Sequence, residues 1–180
     1  MILHGERCLL RPWRTADAEA LARHANNLNI ACHLRDRFPH PYRLADAKRF
    51  LAHAAREASG NAVSQNLAIE VAGEAAGGIG FTAGSDVERY SAEIGYWLGE
   101  AHWGRGITTE ALTLVTREAF ENRGLLRMFA LPFADNRASV RVLEKAGYQL
   151  EGRLRSSAIK YGRPLDQLLY SRINDRWHAS

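Results

Sequence analysis

Apolar residues along this chain change period several times, and each change marks an element. The run Cys8-Leu9-Leu10-Arg11-Pro12-Trp13 reads as a first strand. Its proline has no N–H to give to a ladder, so an edge position is expected. Ala18, Leu21, Ala22 and Ala25 then recur at helical spacing and predict a helix over 17–26. From Asn27 to Arg43 the period is lost, and Pro39 and Pro41 mark a connector. A second helix is predicted over 44–58, with Leu44, Ala47, Leu51, Ala54 and Ala58 turned inward.

The period then falls to two. Leu67, Ile69 and Val71 alternate with polar or small neighbours, and a glycine-rich strand is expected over 75–82. Ala92, Ile94, Tyr96 and Leu98 alternate with Glu93, Gly95 and Trp97, which places Glu93 and Trp97 on the face opposite Ile94 and Leu98. A helix over 107–122 gathers Thr108, Ala111, Leu112, Val115 and Ala119 on one side, with Gly124 to end it. A strand over 127–133 follows, and strand, helix and strand in one sheet imply a right-handed parallel crossover. Residues 136–146 predict a short helix with Val140 and Leu143 inward, and 148–159 with 165–173 predict a hairpin turning at Gly162-Arg163-Pro164. The order β-α-α-β-β-β-α-β-α-β-β describes an α+β domain around a mixed sheet.

Composition narrows the classes. The 180 residues suit one domain, and 46% hydrophobic residues are too many for a disordered chain. No apolar run is long enough to cross a bilayer, and the first fourteen residues lack the apolar stretch of a signal peptide, so a cytoplasmic protein is expected. Two cysteines, Cys8 and Cys32, make no disulfide framework. Seven scattered histidines give no metal-ligand spacing, so no metal is expected. The net charge of +4 is mild and dispersed. It suits an anionic small ligand; the arginines between Arg153 and Arg176 lie outside any nucleic-acid-binding motif, and nucleic acid is not an expected partner.

The most informative stretch is Trp103-Gly104-Arg105-Gly106-Ile107-Thr108, between a strand and a helix. Glycine lets the backbone approach a ligand without an intervening Cβ, and a helix start presents unpaired N–H groups. Together they form a phosphate site, or a plain tight turn. The third glycine of a dinucleotide fingerprint is absent, since Thr109 stands there, and no Gly-Lys-Ser or Gly-Lys-Thr follows.

This stretch resembles the acyl-CoA pyrophosphate loop of the GNAT acetyltransferases, [QR]-x-x-G-x-[GA] at a helix start. Gly106 matches the central glycine; Trp103 stands in place of Gln or Arg, and Thr108 in place of Gly or Ala. Glu93-Ile94-Gly95-Tyr96-Trp97-Leu98, Asn136-Arg137-Ala138-Ser139 and Lys145-Ala146-Gly147-Tyr148 resemble the RimJ/RimL-like branch. The resemblance runs from the first strand to the last hairpin. It implies one N-acetyltransferase domain over 1–180, with its core over 8–175. It further implies a mostly antiparallel central sheet, helices on both faces, and parallel strands splayed at the acetyl-CoA site.

The same resemblance assigns the site. Trp97 and Leu98 would offer backbone groups to the pantetheine arm. Gly104, Arg105, Gly106, Ile107, Thr108 and Thr109 would hold the pyrophosphate, and Arg105 could add charge or simply be solvated. Asn136 suits both an N-cap and a contact to the arm. Many superfamily members carry an acidic tyrosine seven residues after this asparagine; here Leu143 stands there, which leaves Ser139 as the hydroxyl nearest the departing sulfur. An acceptor amine has a pKa of about 8 to 10 and must lose a proton before attack. Glu93 is the candidate base, acting through a water, with Glu151 its rival; an ion-paired structural role is the other reading of Glu93. Tyr148 reads as a core aromatic. Phe38, His40 and Tyr42, in the connector Arg35-Asp36-Arg37-Phe38-Pro39-His40-Pro41-Tyr42, are expected to wall the acceptor.

The activity so implied is acetyl transfer from acetyl-CoA, as co-substrate, to a primary amine of a peptide or protein N-terminus or of a small molecule, by direct attack in a ternary complex. Either a monomer or a homodimer would suffice. Trp103, Thr108 and Leu143 keep open an alternative of another class, a CoA-binding or sensing module without turnover.

Overall fold

A computed structural model describes residues 1–58 and 65–178. Among these residues eight strands form one sheet in the order β1-β2-β3-β4-β5-β6-β8-β7. They are β1 (Leu3–His4), β2 (Leu9–Pro12), β3 (Gln65–Val71), β4 (Glu74–Ala83), β5 (Ser91–Leu98), β6 (Arg127–Ala130), β7 (Gln149–Lys160) and β8 (Arg163–Ile173). The helices are α1 (Ala18–Ala25), α2 (Leu28–Ala31), α3 (Leu44–Ala58), α4 (Ile107–Glu121) and α5 (Arg137–Lys145). Every strand pair is antiparallel except β5 with β6.

Alternation along the strands separates two apolar layers. Ile79, Phe81, Ile94 and Leu98 face Leu112, Val115 and Ala119 of α4 and Leu143 of α5. On the other face α1 and α3 bury Leu21, Ala25, Ala47 and Leu51 with Tyr42, against Trp13 and Trp97. A buried ionic cluster ties the second layer to the sheet. Arg11 on β2 donates to both carboxylate oxygens of Asp17 at 2.8 Å and also pairs with Glu70 of β3. The guanidinium fork satisfies both acids, which is the condition for burying such charge.

The sequence expectations fail locally for identifiable reasons. β2 is not the edge strand, because β1 lies outside it; β1 covers only Leu9 and Leu10, so Pro12 has Leu67 of β3 on one side and no strand on the other, where a missing N–H is tolerated. The hairpin turns at Tyr161-Gly162, with φ of 50° and 74°, while Arg163 and Pro164 already pair with Lys160 and Ile159. Two positive φ values in a two-residue loop match strand twist, a geometry the tyrosine concealed. Leu44, at the first position of α3, is 40% exposed rather than inward. The side chain expected inward at Ala58 lies outside the described residues. β6 ends at Ala130, and Phe133 only bridges Gln167.

The decisive feature is where β5 and β6 part. They pair at Ser91 with Arg127, Ala92 with Met128, and Glu93 with Phe129, and nowhere further. β5 continues to Leu98, whereas the chain after β6 turns toward α5. One side of β5 between Ile94 and Leu98 is therefore left open.

Candidate active site

Backbone direction along β5 decides what the opening offers. Gly99 N–H donates to the Ala76 carbonyl of β4 at 2.8 Å. Main-chain groups alternate in direction along a strand, so those of Trp97 also face β4, whereas those of Tyr96 and Leu98 face the opening. The main-chain groups of Trp97, expected to serve the opening, are therefore directed to β4, and those of Tyr96 and Leu98 lie along the opening instead. Trp97 instead turns its indole to the α1–α3 face, where Phe38 meets it edge-on at 5.5 Å between ring centroids.

Beyond β5 the loop is fastened to the strand end. The indole N–H of Trp103 donates to the Leu98 carbonyl at 2.7 Å, leaving the Leu98 N–H as the donor directed to the opening. Gly104 and Gly106 have φ of 74° and 76°, a left-handed conformation that favours glycine. Gly106 is the N-cap of α4, and its carbonyl accepts from Glu110 N–H at 3.0 Å. Among the described residues no side chain caps this helix, so its first N–H groups and the positive end of its dipole remain available to an anion.

Glu110, in the first turn of α4, is directed elsewhere. Its carboxylate accepts the main-chain N–H groups of Glu6, Arg7 and Cys8 at 3.0, 2.8 and 3.1 Å. Burial works to raise its pKa, but these donors and the Cys8 thiol hold it below the usual carboxylate range. Burial and Glu110 in turn push the Cys8 thiol up to about 12, so it stays protonated and is no nucleophile.

α5 borders the other arm of the opening. Asn136 caps it, accepting Ser139 N–H on its side-chain oxygen at 3.1 Å. Ser139 Oγ lies 2.9 Å from the Tyr96 hydroxyl, which is also 3.3 Å from the Ser139 carbonyl. Leu143 is fully buried and Tyr148 bonds its hydroxyl to Thr116 at 2.7 Å, so both belong to the core.

Glu93 sits at the last β5–β6 pair and is ion-paired with Arg35. The neighbouring Asp36 accepts from Lys160 at 2.8 Å, and that lysine is buried at the end of β7. Phe38 packs on Tyr42 at 4.9 Å, and Tyr42 is buried. The long connector is thus drawn over the sheet. His40 is exposed and is absent from the groove lining, against expectation, because its neighbours turn the aromatic side of the loop inward without it. Glu151 is answered too. Both its oxygens meet Arg127, at 2.6 and 2.5 Å, and Ser171 adds a third bond at 2.6 Å. Those partners depress it to about 2, leaving it a poor base.

A groove of about 2090 Å³ runs past Phe38, Glu93, Trp97, the loop at residues 103–109 and Ser139. An extended thioester fits its chemistry: unpaired main-chain donors at one end, then a strand edge, a carboxylate and a hydroxyl. A model of the acetyltransferase (GNAT) domain family matches residues 7–149.

The chain belongs to the GNAT family.

It is 32% identical over 182 residues to YoaA of Bacillus subtilis (strain 168), an uncharacterized N-acetyltransferase, covering 97% of this chain and 98% of that one. It is 38% identical over 86 residues to the ribosomal-protein-serine acetyltransferase of Escherichia coli (strain K12), covering 47% and 48%. Among solved structures, Mycobacterium smegmatis RimJ in complex with CoA-disulfide superposes with a TM-score of 0.85 at 24% identity, covering 100% of this chain and 90% of that one. The microcin C7 self-immunity acetyltransferase MccE, in complex with acetyl-CoA and AMP, gives 0.83 at 25%, covering 94% of each. GNAT membership makes this chain an acetyl-CoA-dependent acetyltransferase. Among the described residues, no helix is long and apolar enough to cross a membrane.

Three groups at this GNAT site escaped the sequence reading. Tyr96 was read only as one of the alternating positions of its strand, yet a tyrosine on an apolar strand face carries a hydroxyl that needs a partner, and that signal was available. Trp103 appeared only as a departure from the loop pattern, and its bond to Leu98 gives it a task. Arg35 stood in the dense connector, but nothing in a loop sequence says which strand residue it meets.

Proposed function

We propose that this chain acetylates the primary amine of a peptide or protein N-terminus, or of a small molecule, by direct attack on acetyl-CoA within a ternary complex. One observation carries the reading: β5 loses its partner after Glu93, and the opening leads to an uncapped helix start at Gly106. In this reading the N–H groups from Gly104 to Thr109 bind the diphosphate, Arg105 adds charge beside it, and Asn136 and the open edge of β5 hold the pantetheine.

The chemistry follows from the groups along the groove. Glu93 takes the ammonium proton through a water, which frees the lone pair for attack. The Leu98 N–H meets the developing oxyanion, where a fixed dipole acts without reorganisation. Ser139 donates to the sulfur as the carbon–sulfur bond breaks. Holding both substrates in one groove supplies much of the rate gain. Phe38 and Tyr42 wall the acceptor, and the whole chain acts as one catalytic domain. The ribosomal-protein relative supports a peptide or protein N-terminus as acceptor. MccE, solved with AMP and acetyl-CoA, supports a groove of this shape able to admit a small molecule.

The test is thiol release from acetyl-CoA in the presence of a panel of peptides and small amines. Acceptor-dependent release with an acetylated product supports the proposal. Tight CoA binding without release on any acceptor would instead favour a sensing module on the same fold.

A further inference from the structure

The geometry points to Tyr96 as a positioning residue for the acetyl-transfer step: its hydroxyl donates to Ser139 Oγ and so turns the serine proton toward the leaving sulfur. This inference rests on the reading of Ser139 given above and goes beyond it.

A serine in the first turn of a helix has several ways to spend its single proton. It can bond back to a carbonyl one turn earlier, point to water, or face the groove. Only the last helps a departing thiolate. Tyr96 narrows the choice: either oxygen can donate in this contact, and where the phenol does so the serine proton is left for another group. Its hydroxyl is 2.9 Å from Ser139 Oγ, within the normal range for an O–H···O bond. The alternative acceptor, the Ser139 carbonyl, is farther away at 3.3 Å and is directed into the helical ladder. With Tyr96 donating to Oγ, the serine keeps its own proton for a third group.

The placement is what makes this bond more than a local tie. Tyr96 belongs to β5, and Ser139 to α5, which follows β6. The two hydroxyls therefore join the diverging arms across the opening where the thioester must lie. Burial pushes the Tyr96 phenol above its ordinary range, so it keeps its proton and is not itself the acid of the reaction. No net transfer from Tyr96 is involved. As the carbon–sulfur bond breaks, its electron pair leaves with sulfur, which accepts a hydrogen bond from Ser139. The proton that finally neutralises the thiolate comes from the acceptor ammonium by way of solvent.

A double-mutant cycle tests this. Tyr96→Phe, Ser139→Ala and the double variant are compared for kcat, acceptor KM and CoA affinity. Ser139→Ala should lower kcat about ten- to a hundredfold, the worth of one bond to a charged group. Tyr96→Phe should lower kcat about three- to tenfold, with KM and CoA affinity unchanged. The double variant should be no slower than Ser139→Ala alone, because Tyr96 acts through the serine.

A full-rate Ser139→Ala enzyme would overturn the serine reading, and the inference with it. A slow Ser139→Ala with a full-rate Tyr96→Phe would overturn the inference alone. So would additive losses in the double variant. A Tyr96→Phe protein that loses CoA affinity or melts well below the parent would show a structural strut, and would also overturn it.

Discussion

The two walls of the groove are built on different principles. The wall from β5 through the glycine loop to α5 offers main-chain groups at the ends of regular elements: the Leu98 N–H, the first turn of α4, and a helix capped by Asn136. The wall made by residues 27–43 is held by side chains. Arg35 pairs with Glu93, Asp36 with Lys160, and Phe38 lies between Tyr42 and Trp97. Main-chain donors are fixed by the fold and carry no charge for salt to screen. An ion pair with an exposed partner, such as Arg35 with Glu93, is weak, salt-sensitive and easily re-made, while the buried Lys160 anchors Asp36 more firmly. A wall of the first kind suits a ligand that never varies. One of the second kind can be re-made to fit a different ligand.

The sharpest break in this contrast is Gly106→Trp. A side chain at φ of 76° costs about 1–2 kcal/mol in backbone strain, and its Cβ would meet the Arg7 side chain at 3.6 Å, disturbing the helix start where the diphosphate is expected. Calorimetry should show CoA affinity falling by at least about a hundredfold, and the rise in melting temperature that CoA gives the parent should vanish. Parental affinity in this variant would refute the loop assignment. Glu93→Gln should act on the chemistry only, lowering kcat by about a hundred- to ten-thousandfold while CoA affinity stays level. A full-rate enzyme would remove Glu93 as the base.

The side-chain wall should respond more gently. Arg35→Gln removes an exposed partner of Glu93, an interaction worth about 0.2–1 kcal/mol. Acceptor KM should rise about two- to fivefold, and added salt should produce much of the same change in the parent. CoA affinity should not move in either case. A larger effect on CoA than on the acceptor would show that the division between the walls is false.

The same division explains what could be read from the amino-acid order. Elements carried by periodicity, such as α4 or the alternation of β5, were legible because burial imposes the period: Ala92, Ile94 and Leu98 are buried while Glu93 and Trp97 are not. The loop at 103–106 was legible because glycine marks backbone conformation directly. The connector was not, because ion pairs such as Arg35 with Glu93 join residues far apart in sequence and obey no spacing. β1 escaped for another reason: two residues show no alternation, and Leu3–His4 becomes a strand only because β2 offers it a ladder. Tyr96 lay between these cases, its strand face predictable and its partner on α5 not.

The smallest expected effect concerns Glu151, a carboxylate one sequence reading set beside Glu93. It reaches from β7 to Arg127 on β6 and to Ser171 on the intervening β8, so it fastens the outer hairpin to the sheet. These partners lower its pKa from 4.5 to about 2 in the folded chain. A depressed folded pKa means that the stabilisation is complete above the unfolded value near 4.5 and fades as pH falls from there toward 2. Its side chain is 37% exposed, so solvent screening keeps the worth of the cluster near ~1 kcal/mol rather than the larger figure the shift alone implies. Glu151→Gln should therefore lower the melting temperature by a few degrees at pH 7, and the gap to the parent should close as the pH is taken below 4.5. Turnover should be unchanged. Lost turnover with an unaltered melting curve would make Glu151 the base, and Glu93 would be left to its pairing with Arg35.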